Sequence, residues 1–307
     1  MPEIAYLGPP GTFTEQATRL LTAEFESDLV PYETVSTALA AVRSDEVLAA
    51  GVPVENSVEG SVPATLDALT ADEPLVAVAE TVVPVQFDVL ARPGTTLSGA
   101  ETVASHPHAL AQVRDWLGEN LPKAEQHAVA STAAAAAAVA RGEFDAAVSA
   151  EVALEHYPSL TRLAAGLADV RDAVTRFLLV RRPGTLPEPT GADRTSICAV
   201  ISDEVGTLAD MLAELSLRGI NLSRIESRPV KDRFGHYRFF LDFDGHVADT
   251  RIGEALAALK RRCSTVRFLG SYPKADRKPG YIRSAASEQA FEKSARWLEA
   301  VREGRLA

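Results

Sequence analysis

The chain reads as an α/β protein in two parts: a mainly parallel sheet divided into two lobes, followed by a smaller ferredoxin-like unit. Three observations carry this expectation. Short apolar strands alternate with helical patterns at spacings of about 20–30 residues. A Pro-rich stretch at residues 181–189 then marks a domain boundary. Beyond it the order is strand, helix, strand, strand, helix, strand, which is ferredoxin-like.

Residues 4–7 form a short apolar strand that runs into Gly8, Pro9, Pro10 and Gly11, a turn that cannot be helical. A helix starts after it, because Thr12 and Glu15 have capping-box spacing and Ala17, Leu20, Leu21 and Phe25 recur at helical intervals. The junction aims backbone N–H groups and hydroxyls beyond the strand end, a geometry that suits an anion and equally serves an ordinary capped turn. Residues 34–42 read as a second helix with Ser36 near its start, and 47–54 as a strand. That strand delivers Glu55, Asn56, Ser57 and Glu59, closed by Gly60 and followed by Pro63 in the first turn of a helix. A structural loop seldom needs so many polar groups. Asn56 both donates and accepts, and the two Glu serve as acid or base once desolvated.

Residues 75–90 are Val-rich, one or two strands with Pro84 at an edge or crossover. The strand at 102–104 leads to Ser105 at a cap position and Pro107 in the first turn of a helix. His106 and His108 face different ways and lack the further ligands a metal site needs. Ser131 and Thr132 cap an alanine-rich helix that must lie very close to a neighbour. A strand at 144–149 and a short helix at 150–156 lead to Thr175, Arg176 and Phe177, which head the buried run 177–180. Alone, this triplet is a strand entrance. With the loops at 8–14, 55–61 and 105–112 it joins the carboxyl ends of strands, where such sheets gather function.

After the linker come a strand at 195–201, a helix at 206–217, a turn at 219–222 into a strand that runs through 226–229, a strand at 237–243, a helix at 252–260 and a strand at 265–269. A last helix at 284–302 carries Phe291, Ala295, Leu298 and Val301 on one face, to pack on the body or a second subunit.

At 307 residues, 46% hydrophobic and 24% charged, the chain has room for two cores. No apolar run is long enough for a bilayer and residues 1–4 lack a signal-peptide pattern, so the expected setting is cytoplasmic, with no membrane partner. A net charge of −11 argues against nucleic acid, though not against a small anion held by one Arg in a dry cleft. Cys198 and Cys263 lack metal-ligand spacing and read as free thiols. No metal or other cofactor is expected.

Four runs now resemble the signatures of the prephenate dehydratase family: residues 6–17, residues 52–60, Ser105-His106-Pro107 through Gln112, and Thr175-Arg176-Phe177. The C-terminal unit is similar to an ACT regulatory domain, with Glu226, Ser227, Arg228 and Pro229 matching the segment such dehydratases use for phenylalanine. Val205, Val113 and Gln86-Phe87 depart from the common pattern. The resemblance implies a two-lobed, periplasmic-binding-protein-like catalytic domain over 1–183, with lobes 1–78 plus 165–183 and 79–164. It further implies a linker at 184–194, an ACT domain over 195–273 and a helical tail over 274–307. It implies a monofunctional prephenate dehydratase, inhibited or activated by phenylalanine, and a homodimer or homotetramer through ACT domains.

Within that resemblance Thr175 is a hydrogen-bond donor to the leaving hydroxyl, Glu59 a proton source and Asn56 a third catalytic group. Arg176 anchors a carboxylate, with Ser105, Gln112, Thr12, Ser57 and Phe177 completing the substrate site. Gly206, Thr207, Leu208 and Ala209, with Asn221, Leu222, Glu226, Ser227 and Arg228, are expected to hold phenylalanine. Arogenate in place of prephenate, or amino-acid sensing without catalysis, remain alternatives at this point.

Overall fold

The computed structural model describes residues 1–170, 172–230 and 237–305. In chain order its elements begin with β1 (Glu3–Leu7), α1 (Phe13–Leu21), β2 (Asp28–Tyr32), α2 (Val35–Arg43), β3 (Ala49–Asn56), β4 (Gly60–Ser61), α3 (Pro63–Thr70) and β5 (Val76–Pro84). Next come β6 (Phe87–Ala91), β7 (Thr102–Ser105), α4 (Pro107–Gln112), α5 (Arg114–Asn120), β8 (Glu125–Ala128), α6 (Thr132–Arg141), β9 (Ala146–Ser149), α7 (Ala153–His156), β10 (Thr161–Leu167) and β11 (Val174–Arg181). The remainder is β12 (Asp193–Val200), α8 (Thr207–Ser216), β13 (Leu222–Pro229), β14 (Tyr237–Asp244), α9 (Thr250–Arg262), β15 (Thr265–Pro273) and α10 (Glu288–Arg302).

These elements form two compact units, residues 1–68 with 81–182, and residues 69–80 with 183–307. In the first, one sheet runs β11-β3-β1-β2 and a second runs β10-β6-β9-β7-β8. Strand β1 is parallel to β2 and β3, and β7 to β8 and β9. However, β11 runs antiparallel to β3, and β6 antiparallel to β9 and β10. The sheets are therefore mixed rather than mainly parallel. A strand buried on both faces shows the same apolar run whichever way it points, so direction was not legible.

Local chemistry sets the helix starts. Thr12 Oγ1 accepts the Glu15 N–H at 3.3 Å, while Glu15 Oε2 takes the Gly11 N–H at 2.6 Å, so the return half of the box closes one residue early. Thr34, not Ser36, caps α2. Ser131 caps α6 by accepting the Ala134 N–H at 2.9 Å. The alanines of α6 sit in one core with Leu90, Ala104 and Ala147, the close approach their size requires.

The second unit has strand order β13-β14-β12-β15, antiparallel throughout. Helices α8 and α9 contribute Met211, Leu215, Ile252 and Leu259 to a core with Ile197, Leu241 and Phe243. Residues 69–80, which the linker led us to read with the N-terminal domain, pack here. Arg267 donates to Ala71 O at 3.1 Å and Asp72 O at 3.2 Å, Arg194 to Glu80 at 2.6 Å, and Gly270 pairs with Ala77. A chain crossing made by sheet pairing leaves no Pro- or Gly-rich mark. Helix α10 begins at Glu288, capped by Ser287, and carries no buried residue. Among the described residues no helix is long and apolar enough to cross a membrane.

Candidate active site

Strand pairing creates the site. In the antiparallel β11–β3 ladder Thr175 stands opposite Asn56 and Arg176 opposite Glu55. Asn56 Nδ2 donates to Thr175 Oγ1 at 2.9 Å, while Asn56 Oδ1 accepts the N–H groups of Val58 at 2.8 Å and Glu59 at 3.0 Å. Those two backbone donors settle which end of the amide is oxygen. The Thr175 oxygen is thus an acceptor toward Asn56, and its own proton is free to point elsewhere. Ser57 pins the same strand, since its Oγ accepts the Val174 N–H and its N–H donates to Val174 O, both at 2.9 Å.

Thr175 and Asn56 border a cavity of about 560 Å³. Glu59, Ser61 and Pro63 form one wall, Phe13 and Phe87 another, and His106, His108, Gln112, Ser131 and Thr132 the remainder. Phe13 and Phe87 meet edge to face, centroids 5.6 Å apart, and give this wall its apolar character. The first turn of α6, at Ser131 and Thr132, presents N–H groups that have no carbonyl four residues back. Gln112 is 9% exposed and its Oε1 is buried without a protein partner, an acceptor that a ligand hydroxyl would satisfy.

Among the described residues the lining includes three acid–base side chains, Glu59, His106 and His108. His106 Nδ1 accepts the His108 N–H at 3.3 Å. Burial, with the neighbouring His108, pulls the His106 imidazole below its usual range, and Glu59 partly offsets this.

Several expected residues lie elsewhere. Arg176 is 7% exposed on the opposite side of β11 from Thr175, with Nη1 3.8 Å from Glu55 Oε2, and does not border the cavity. Successive strand side chains point to opposite faces, so Thr175 and Arg176 cannot share one pocket. Arg176→Met is expected to lower stability by about 3 kcal/mol in urea unfolding, the low end for stripping a buried ion pair of one member, because Glu55 keeps contact with water. Phe177 is a core residue packed with Ala17 and Val83. Ser105 is fully buried and donates to Val148 O at 2.6 Å, tying β7 to β9; His106 takes the cap position instead. Thr12 caps α1 and borders a neighbouring cavity of about 610 Å³ that also touches Ala130 and Ser131. Phe13, Phe87, His108, Ser131 and Thr132 were not anticipated as site residues. The strand-end loops were visible, but which of their side chains face inward depends on how the two sheets fold together.

The second unit holds a cavity of about 520 Å³ lined by Gly206, Thr207, Leu208 and Ala209, as well as Ser202, Asp203, Glu204, Leu212, Tyr237 and Phe239. Gly206 takes φ 90°, which suits glycine, and lets the chain turn into α8. Asn221, Leu222, Glu226, Ser227 and Arg228 do not border it. Asn221 Nδ2 bonds Asp244 at 3.0 Å, and the other four lie on β13, the last strand of the sheet.

A family model described as prephenate dehydratase matches residues 4–185, and one described as the ACT domain matches 199–261. The chain is 59% identical over 308 residues to a prephenate dehydratase of Amycolatopsis methanolica, covering 100% of both. It superposes on the prephenate dehydratase of Arthrobacter aurescens in complex with L-Phe with TM-score 0.92 and 43% identity, over 98% of this chain and 99% of that one. A third relative is GqqA, described as a novel type of quorum quenching acylase, with TM-score 0.81 and 30% identity over 90% of this chain and 100% of that one.

Proposed function

The chain belongs to the prephenate dehydratase family, and from that premise we propose that it is a lyase converting prephenate to phenylpyruvate, with phenylalanine as effector through its ACT domain. The reaction breaks the ring C–OH bond and the bond to the ring carboxylate together. The electron pair of the carboxylate bond enters the ring as it aromatises, and carbon dioxide and water leave.

The observation that supports this reading most is the Asn56-to-Thr175 hydrogen bond of 2.9 Å. Because Asn56 donates, the Thr175 O–H can donate in turn to the departing oxygen, where negative charge develops. A Thr hydroxyl is a poor acid, so a second group must deliver the proton that completes water. Phe13 and Phe87 would face the ring, while Ser131, Thr132 and the first turn of α6 would receive the side-chain carboxylate. Anchoring by a helix terminus and neutral donors has a kinetic reason. A fixed cation gripping the ring carboxylate in the ground state would oppose its loss as neutral carbon dioxide. Arg176, buried beside Glu55, then supports the strand rather than the substrate.

For the effector, Gly206 through Ala209 supply one side of an apolar pocket. Glu226, Ser227 and Arg228 on the edge strand would complete it from a second copy, making a dimer of ACT domains, or a tetramer, the regulated species. The test is phenylpyruvate formation from prephenate, with and without phenylalanine, and separately phenylalanine formation from arogenate. Turnover of prephenate with a phenylalanine-dependent rate is expected; turnover of arogenate alone, or no product, would overturn the reading.

A further inference from the structure

Among the described residues that line the cavity beside Thr175, the acid–base side chains are Glu59, His106 and His108; the walls from α1, β6, α6 and β11 contribute Phe13, Phe87, Ser131, Thr132 and Thr175. The two imidazoles stand edge to face with centroids 5.0 Å apart. Their surroundings differ. His106 Nδ1 is occupied by the His108 N–H, and burial favours its neutral form. His108 has Nδ1 3.9 Å from Glu59 Oε2, and its side chain is 65% exposed. The carboxylate beside it can orient the ring, and the open side lets water reprotonate the ring after each turnover. Helix α4 carries no other ionisable group than His108, and among the described residues lining the cavity Glu59 and His106 are the other titratable side chains.

We propose that His108, paired with Glu59, is the proton donor for the leaving hydroxyl, an assignment that rests on the dehydratase reading. The step balances as follows. The ring C–O bond breaks with its electron pair going to oxygen, the His108 imidazolium transfers one proton to that oxygen, and water departs. Neutral His108 then regains its proton from solvent. Thr175 holds the oxygen during transfer, and Glu59 orients the ring.

The test is the pH profile of kcat and kcat/KM for prephenate with the full-length protein. The wild-type rate should fall on the alkaline side as the imidazolium is lost. His108→Gln should lower kcat about 10²-fold, the usual minimum for removing a general acid, and abolish that alkaline fall. Glu59→Gln should lower kcat about tenfold with KM changed by no more than about threefold, because the ring loses the partner that orients it. His106→Gln should leave the fall in place. A His108→Gln enzyme that keeps the wild-type profile, or a fall that disappears in His106→Gln instead, would overturn the assignment. A wild-type protein that forms no phenylpyruvate would sink the dehydratase reading itself, a separate and distinguishable failure. Should His108→Gln not fold, His108→Asn, read by the same pH profile, carries the same decision.

Discussion

Thr175→Ala should lower kcat for phenylpyruvate formation by about 10²-fold or more while changing KM by no more than about threefold. Thr175 is 9% exposed and borders the cavity, and its hydroxyl is held in one polarity by Asn56, whose own oxygen is locked by the Val58 and Glu59 N–H groups. Such a donor is already oriented before charge appears on the leaving oxygen, so it contributes chiefly in the transition state and little to ground-state binding. Thr175→Ser keeps the donor and should recover most of the loss. A steady-state comparison of the three proteins decides the matter; near-normal kcat in the alanine variant removes the role.

Gly270→Ala should destabilise the second unit by about 4 kcal/mol or more in urea unfolding, or prevent its folding. Gly270 has φ 141°, and a Cβ built there would lie 2.3 Å from Ala77 O and 2.9 Å from Ala77 N. Both contacts are to backbone, which cannot rotate away as a side-chain tip can. This is the point where β15 meets residues 69–80, so the substitution would also loosen the segment that Arg267 and Arg194 hold. Unchanged stability would mean that β15 and this segment tolerate a wider spacing.

How much of the site could be read in advance depended on the kind of information each residue carried. Asn56, Glu59, Gln112 and Thr175 were legible because they follow strand ends and stand in recognisable runs, and all four border one cavity. Arg176 does not border that cavity, and the two-residue period of a strand already separates it from Thr175. Ser105 looked like a cap from its position before Pro107, yet it is the tie between β7 and β9, a partner 43 positions away in the chain. His108, weighed only as a metal ligand, gained meaning once folding brought it within 3.9 Å of Glu59.

By itself the sequence determined the α/β class, the order of elements, the helix caps at Thr12 and Ser131 and the family, because each is written in periodicity or in runs of neighbouring residues. Only the tertiary structure decided strand direction, the membership of residues 69–80 and which side chains share a cavity. Those depend on contacts between distant segments, and the burial that drives such contacts is non-directional: it rewards an apolar residue for leaving water without specifying which partner it meets.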